Sequence, residues 1–532
     1  MRVREVLHIC LAASIVCGVA PARAQDVVRI RSGRVAGQRA GDVAVYKGIP
    51  YAAPPTGERR WKPPQPAAAW SGVLDATSHG LPCPQRPFLG TPFVKEWSED
   101  CLKLDVWTPA LASARPFPVI VSIPGGGFYA GGSADPSTDG SALARQGVVV
   151  VTFNYRLGVF GFLAHPMLSK ESPAGVSGNY GLMDQIAALR WVQDNIAAFG
   201  GDPRNVTITG SSAGGSSVLY LMASPLAQGL FARGVAQSPA LVHAPLAALR
   251  ERRYGLEPRE AAGHSLGADI SALRALPAQE LLARVGPPFN MFEERRGNDY
   301  WPFVDGAVLP DEPWALFASG RFARVPLIIG TTTDEGTVFS AFDRKAMTAD
   351  AWHEHLARRH PGVEREVQST YAATSDTAVY WSAVRWVNDW FFHGTVRAVA
   401  RAVSSRGVPV FLYTFSQKTP EPPIRGRSLG AAHSSEVRYV FSTLNAAGGP
   451  TGGFADQDHA LSRAMSSAWV QFARAGDPNR VGLPTWPRYE TSTDRHIEFG
   501  AEIRAGSGLH ARSLDVFDST FARMRALSRG DR

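Results

Sequence analysis

The sequence predicts an α/β fold built on one large, mostly parallel sheet with an antiparallel amino-terminal edge. Three observations carry that expectation. From about residue 117 onward, strand-length apolar runs alternate with longer stretches of helical period. Before that point, short β-branched runs alternate with turn residues. No polar linker, repeat or composition break divides the chain, and 532 residues with 45% hydrophobic and 19% charged content can bury a large core.

The first 24 residues, MRVREVLHICLAASIVCGVAPARA, place Arg2 and Arg4 before an apolar run that ends in Ala22-Arg23-Ala24. That is the arrangement of a secretory signal, with the mature chain expected to begin at Gln25. A lipid anchor at Cys17 is disfavoured because Val16 stands where a small residue is wanted. Residues 25–532 are expected to form a single domain with helical insertions, exported to the periplasm or the exterior. No other run approaches the ~20 apolar residues of a membrane span, so no membrane anchor is expected.

The full chain carries a net charge of +8, and the leader accounts for Arg2, Arg4 and Arg23 against Glu5, leaving 8 − 2 = +6. Its basic residues are interspersed with acidic ones, which argues against a nucleic-acid partner. Cys10 and Cys17 fall in the leader. The pair that stays, Cys83 and Cys101, is expected to form one disulfide around 17 intervening residues. Closing such a loop would stabilise the fold by roughly 3 kcal/mol.

Each further element follows from its own pattern. VVRIRSGRVAGQRAGDVAVYKGIPYA reads as short antiparallel strands. FPVIVSI reads as a buried strand that runs into the glycine-rich PGGGFYAGG, and GVVVVTFNY as another strand. GNYGLMDQIAALRWVQDNIAAFGG reads as an amphipathic helix through Leu182, Ile186, Leu189 and Ile196, stopped by Gly200 and Gly201. NVTITG is a strand, AGGSSVLYLMAS a helix, and VPLIIGTTT and VPVFLYTFS are later strands of the same sheet.

Between NVTITG and its following helix stand four serines, 211, 212, 216 and 217. A serine nucleophile needs a base to take its proton and must protrude from the backbone. G-x-S-x-G between strand and helix supplies the protrusion, and only Gly210-Ser211-Ser212-Ala213-Gly214 fits it. Ser212 is therefore the candidate nucleophile, while Ser216 and Ser217 read as helix residues. Attack on an ester carbonyl creates an oxyanion that needs preorganised N–H donors. The run Gly125-Gly126-Gly127, directly after a strand and upstream of the serine, suits that need, with Ala213 N–H as a further donor.

Together with YKGIPYAAPPTGERRWKPPQP, SEDCLKLDVWTP, NYRLGVFGFL, QSPA at 237–240, PFVDGAVLP, IIGTTTDEGTVF and GAAHSSEVRYVF, these motifs closely resemble the type-B carboxylesterases. These are the cholinesterase-like and para-nitrobenzyl-esterase-like family, and the resemblance spans nearly the whole chain after the leader. It implies an α/β-hydrolase fold with helices flanking the sheet. It also implies a secreted serine esterase that works through a Ser-His-Glu triad and an acyl-enzyme, without cofactor or metal, on a small-molecule ester. Ser212 matches the nucleophile and His433 the base. Glu335 matches the acid, although the residues alone leave neighbouring Asp334 open. Gly126, Gly127 and Ala213 match the oxyanion donors.

The chain also departs from that family. Ser211 stands where a glutamate usually precedes the nucleophile, and Pro124 where a histidine or aromatic often precedes the glycine run. Trp97 does not align with the choline-binding tryptophan of cholinesterases. A neutral, or even an acidic, ester is therefore expected rather than a cationic one, with Arg425 and Arg427 the candidates for an acidic group and solvated loop arginines the simpler reading. Phe128, Tyr129, Trp390, Phe391 and Phe392 are candidates for an apolar pocket, with Phe128, Ser211 and Phe392 foremost, although core packing is the commoner fate of such rings. His353 and His355, two apart on a helix, are expected at the surface rather than on a metal. The alternatives are a non-catalytic binding or adhesion protein on the same fold, and amide, lactone or transacylation chemistry at the same triad.

Overall fold

A strand whose every residue is apolar must be covered on both faces, and the central runs of this chain satisfy that demand. The computed structural model describes residues 26–87, 96–285, 300–342, 347–447, 453–509 and 511–530. The expected leader and the start at Gln25 lie outside them.

Fourteen strands occur among the described residues: β1 (Val27–Ile30), β2 (Gly33–Ala36), β3 (Gln38–Ala40), β4 (Val43–Pro50), β5 (Val73–Asp75), β6 (Lys103–Thr108) and β7 (Phe117–Ile123), then β8 (Val149–Phe153), β9 (Gly201–Ser211), β10 (Arg233–Gln237), β11 (Leu327–Thr332), β12 (Val410–Phe415), β13 (His496–Phe499) and β14 (Ile503–Gly506). Eleven of them form one sheet in the order β14-β13-β12-β11-β10-β9-β7-β8-β6-β4-β3. From β8 across to β13 the neighbours run parallel, and both edges are antiparallel. Along β7, Val119, Val121 and Ile123 enter one core while Ile120 enters the core on the opposite face. The large, mostly parallel sheet with an antiparallel amino-terminal edge and flanking helices is as expected.

The amino-terminal run divides more finely than its alternation suggested. Only β3 and β4 continue the large sheet; β1 and β2 pair with each other and with β5 in a separate three-stranded sheet. Their single buried face of Val28, Ile30 and Val35 packs on the main core, so the outer face needs no cover.

The flanking helices that matter below are α1 (Tyr180–Asn195), α2 (Ala213–Ala223), α3 (Pro313–Ser319), α4 (Gly336–Phe342), α5 (Ala349–Arg359), α6 (Asp376–Val387), α7 (Gly394–Ser404), α8 (Asp456–Ala475) and α9 (Ala511–Gly530). After α1 a tight turn over Ile196–Phe199 ends at Gly200, whose φ of 79° suits glycine. Between α6 and α7 the helix widens into a π-type segment, Asn388–His393. Such widened turns are rare and gather near functional sites. The expected disulfide joins Cys83 to Cys101, both buried, with Cys101 just before β6.

Candidate active site

The carboxyl ends of β7, β9, β10 and β11 lie side by side, and in open α/β sheets that edge is where ligands bind. β9 turns directly into α2 at Ser212, whose φ of 59° and ψ of −123° are strained for any residue with a side chain. The two glycines of the motif make the turn possible. A Cβ on Gly210 would stand 2.5 Å from the Gly214 backbone, and one on Gly214 would stand 2.2 Å from Ile123 O. Ser212 N donates to Gln237 O at 2.9 Å, which ties the apex to the end of β10. Ser216 and Ser217 are buried in α2, Ser216 bonded to Ala240 and Ser217 to Gln185.

The glycine run lies against this apex. A Cβ on Gly125 would come within 2.7 Å of Ser211 O and 3.5 Å of Ser212 Cβ. Gly126 and Gly127 have φ of 105° and 65°, and a Cβ on Gly126 would meet Ala130 O at 2.2 Å. The N–H groups of Gly126, Gly127 and Ala213 donate to no protein acceptor among the described residues. For Ala213 the reason is its place in the first turn of α2, where N–H groups have no intrahelical partner. Tyr155 OH donates to Pro124 O at 3.1 Å and so anchors the loop.

Glu335, after β11, is fully buried. Its Oε2 is hydrogen-bonded to His433 Nδ1, and its Oε1 accepts from Ser238 Oγ at 2.6 Å and from Thr332 N at 2.8 Å. Burial pushes this carboxyl up, but the His433 charge and the donors from His433, Ser238 and Thr332 outweigh it and hold it below the ordinary value. Asp334 is occupied elsewhere: its Oδ2 accepts from Ala431 N at 2.8 Å. Of the two acids left open by sequence, Glu335 is thus the one on the histidine.

His433 shares the same edge. Its ring packs against Phe392 at 4.6 Å and Phe339 at 5.1 Å between centroids, and its Nε2 has no hydrogen-bond partner among the described residues. The next residue, Ser434, has its Oγ 2.8 Å from Ser211 Oγ. Contacts therefore close a ring: Ser212 to Gln237, Ser238 to Glu335, Glu335 to His433, and Ser434 back to Ser211.

Sequence reasoning missed Ser238 and Ser434, and it missed Glu436. The last is a fully buried second carboxyl whose Oε1 accepts from Gln237 Nε2 at 3.2 Å and Tyr413 OH at 3.3 Å. Burial, and then the charge of Glu335, push it up to about 7. The tetrapeptide QSPA was noted for its family likeness, yet nothing in its composition marked Ser238 as a donor to an acid nearly a hundred residues away.

The remaining candidates spread out. Phe128 packs its ring on Phe162 and Tyr220 in the core, and Tyr129 OH accepts from Tyr300 N. Trp390 and Phe391 line a different cavity. Arg425 and Arg427 lie on an exposed turn closed by pairing of Ile424 with Arg427, and the Arg427 guanidinium stacks 3.8 Å over Tyr380. His355 corrects an expectation: it is buried, stacked on Trp352 and edge-on to Trp386, because its face of α5 is the one that packs inward. Its ring is driven down to about 4 by burial, so it stays neutral. No group of three or more metal-binding side chains occurs among the described residues.

The chain was compared with known proteins. Residues 24–517 match the model of the carboxylesterase family. A fumonisin B1 esterase of Sphingopyxis macrogoltabida is 40% identical over 495 residues, covering 90% of this chain and 87% of the relative. A para-nitrobenzyl esterase of Bacillus subtilis is 37% identical over 494 residues, covering 90% and 95%. Among solved structures, a PNB esterase superposes with a TM-score of 0.79 at 33% identity, covering 92% of this chain and 99% of that one.

Proposed function

Because the chain belongs to the carboxylesterase family and is a carboxylic ester hydrolase, we propose that it cleaves its ester through an acyl-enzyme carried on Ser212. His433 takes the Ser212 proton as the hydroxyl attacks the acyl carbon, and Glu335 fixes the imidazole tautomer and stabilises its cationic form. Gly126, Gly127 and Ala213 donate to the oxyanion. His433 then protonates the departing alcohol, and a water activated by the same ring releases the acid. The observation that carries the reading is the closed ring of contacts from Ser212 through Gln237, Ser238, Glu335, His433 and Ser434 to Ser211. Neither Ser212 Oγ nor His433 Nε2 is committed to another protein group among the described residues. In enzymes of this kind the serine–histidine bond often tightens only when substrate is bound.

The substrate we propose is a small, uncharged carboxylic ester. The position before Ser212 carries a hydroxyl and not a carboxylate, and Glu436, pushed up to about 7, is largely neutral in acid solution. In acid solution Glu436 therefore adds little charge that could attract a quaternary ammonium group. The relatives named as a fumonisin B1 esterase and a para-nitrobenzyl esterase are in keeping with a carboxylic ester as the substrate. We further propose that residues 25–532 act as one exported domain; the Ala22-Arg23-Ala24 pattern and the Cys83–Cys101 bridge support it.

Hydrolysis of p-nitrophenyl acetate and butyrate by wild type and Ser212→Ala tests the reading. Activity in wild type, lost in the variant together with covalent labelling by an organophosphate, is expected. Equal inactivity of both across several esters would favour the binding-protein alternative.

A further inference from the structure

The glycine turn that carries two of the proposed oxyanion donors is braced from outside by a single side chain, Gln85. Gln85 follows Cys83 by two residues, so the Cys83–Cys101 bridge ties its segment to the chain that enters β6. The side chain is buried. Its Nε2 donates to Gly131 O at 3.0 Å and to Cys83 O at 3.1 Å, and its Oε1 accepts from Gly131 N at 3.0 Å. Both halves of the amide thus meet the backbone of one residue. Only one orientation of the amide satisfies the pattern, since exchanging its oxygen and nitrogen would set a lone pair against two carbonyls and N–H against N–H.

Gly131 in turn sits on the peptide that matters for the chemistry. It holds a φ of 110°, and a Cβ there would collide with Gly125 O. Gly125 C=O and Gly126 N–H belong to one planar peptide unit, so a contact that fixes the oxygen on one side fixes the direction of the N–H on the other. The turn cannot hold that direction by itself. Gly126, Gly127 and Phe128 take φ of 105°, 65° and 65°, and such a run persists only while its surroundings determine it. Gly126 O accepts from Tyr129 N and Ala130 N, each at 3.0 Å, which closes the turn on itself. Beyond it, Ser133 N donates to Asn154 Oδ1 at 2.8 Å. At Gly131, between these two fixed points, the bonds come from Gln85.

We propose that Gln85 is a positioning residue for ester cleavage, which acts through Gly131 to aim the Gly126 N–H at the oxyanion. The proposal rests on the oxyanion role given above to Gly126 and Gly127. A brace of this kind is felt in the transition state, because the N–H meets a developing negative charge only once the carbonyl has been attacked. Acylation and deacylation both pass through an oxyanion, so a misdirected donor slows both steps and leaves KM nearly unchanged.

Gln85→Met keeps the length of the side chain and removes the amide. For p-nitrophenyl acetate, kcat should fall about tenfold or more with KM within about twofold. Inhibition by phenyl trifluoromethyl ketone supplies a second readout. Ser212 Oγ bonds to its carbonyl carbon, the carbonyl π pair moves onto the oxygen and the serine proton passes to His433, so the adduct needs the same donors. Its Ki should rise by the factor by which kcat/KM falls. A role confined to folding would lower the active fraction and leave the Ki of the remainder unchanged. Gln85→Asn leaves the amide one methylene short; it should show the same paired losses on a smaller scale, and carries the comparison should Gln85→Met fail to fold. A folded Gln85→Met with kcat within about twofold of wild type, or a Ki unmoved while kcat/KM falls, would overturn the proposal. An active Ser212→Ala would overturn the underlying reading as well, whereas an inactive one beside a fully active Gln85→Met would overturn this inference alone.

Discussion

Ser211 Oγ and Ser434 Oγ lie 2.8 Å apart, so the residue before the proposed nucleophile is hydrogen-bonded to the residue after the proposed base. Ser434 holds a φ of 65° and Ser212 a φ of 59°, both strained for non-glycine residues. The bond joins the two strained turns directly. It stands where the family more often has a carboxylate, and exchanges a charge for a neutral tie between β9 and the histidine loop.

That tie predicts the behaviour of Ser211→Ala. Losing one part-buried neutral hydrogen bond costs about 1 kcal/mol, and here the cost should fall on the alignment of His433 rather than on substrate binding. The expected result is a kcat reduced roughly three- to tenfold with KM within about twofold. Ser434→Ala should match it, and the double variant should be no worse than either single one, as two halves of one interaction require. Additive losses in steady-state kinetics would mean that the two serines act separately.

Glu335→Gln keeps the shape of the site but cannot hold the correct imidazole tautomer or its cation, so kcat should fall by about a thousandfold or more. The same residue governs stability in acid. Its folded value lies below the ordinary one, so its contribution is present above the usual carboxylate range and is lost as pH falls through the lowered value. Melting temperatures from pH 7 down to pH 2 should therefore decline less steeply in Glu335→Gln than in wild type. An equal slope would assign the acid sensitivity to other carboxyls.

Much of this arrangement was legible before any coordinates, because its signals are local. Gly210 is needed against the Gly214 backbone and Gly126 against Ala130, each within five residues, whereas Gly214 and Gly125 answer to Ile123 and Ser211 far along the chain and were legible only as members of short glycine patterns. The strands announced themselves because burial on two faces demands unbroken apolar runs. Ser238 and Glu436 were hidden because their partners come from distant strands and helices, and no short pattern of sequence records that encounter. His355 was misplaced for a related reason: helical spacing says that two histidines diverge, but not which one the neighbouring Trp352 and Trp386 will cover.

Glu436 makes the opposite prediction to Glu335. Its carboxyl is raised from an ordinary 4.5 to about 7, so its stabilising contribution is full below the ordinary value and is lost as pH rises through the raised one. Glu436→Gln keeps a group that bonds to Gln237 and Tyr413 but cannot ionise. The variant should lose the part of the stability decline that wild type shows between about pH 4.5 and 7, and should melt above wild type at pH 8. Differential scanning calorimetry across that range checks it; a variant less stable than wild type at pH 8 would show that the carboxylate is wanted there.

The charge of the ester gives the last prediction. Arg425 and Arg427 are the only arginines that sequence reasoning offered for an acidic substrate, and both lie on an exposed turn. Arg427 is drawn onto the face of Tyr380, a cation–π contact that already occupies its guanidinium. Exposed cations are screened over about 8–10 Å at ordinary salt, so at longer range they contribute little to ground-state binding. Replacing both with alanine should therefore change by less than about twofold the ratio of kcat/KM for p-nitrophenyl butyrate to that for its counterpart bearing a terminal carboxylate, the mono-p-nitrophenyl ester of glutaric acid. A selective loss on the acidic ester of about fivefold or more, roughly 1 kcal/mol, would reassign the turn to substrate recognition. Ser211→Glu supplies the complementary arm. It restores a carboxylate beside the nucleophile and should raise kcat/KM for a choline ester relative to a neutral one, because an anion at the apex attracts the cation that the present hydroxyl does not.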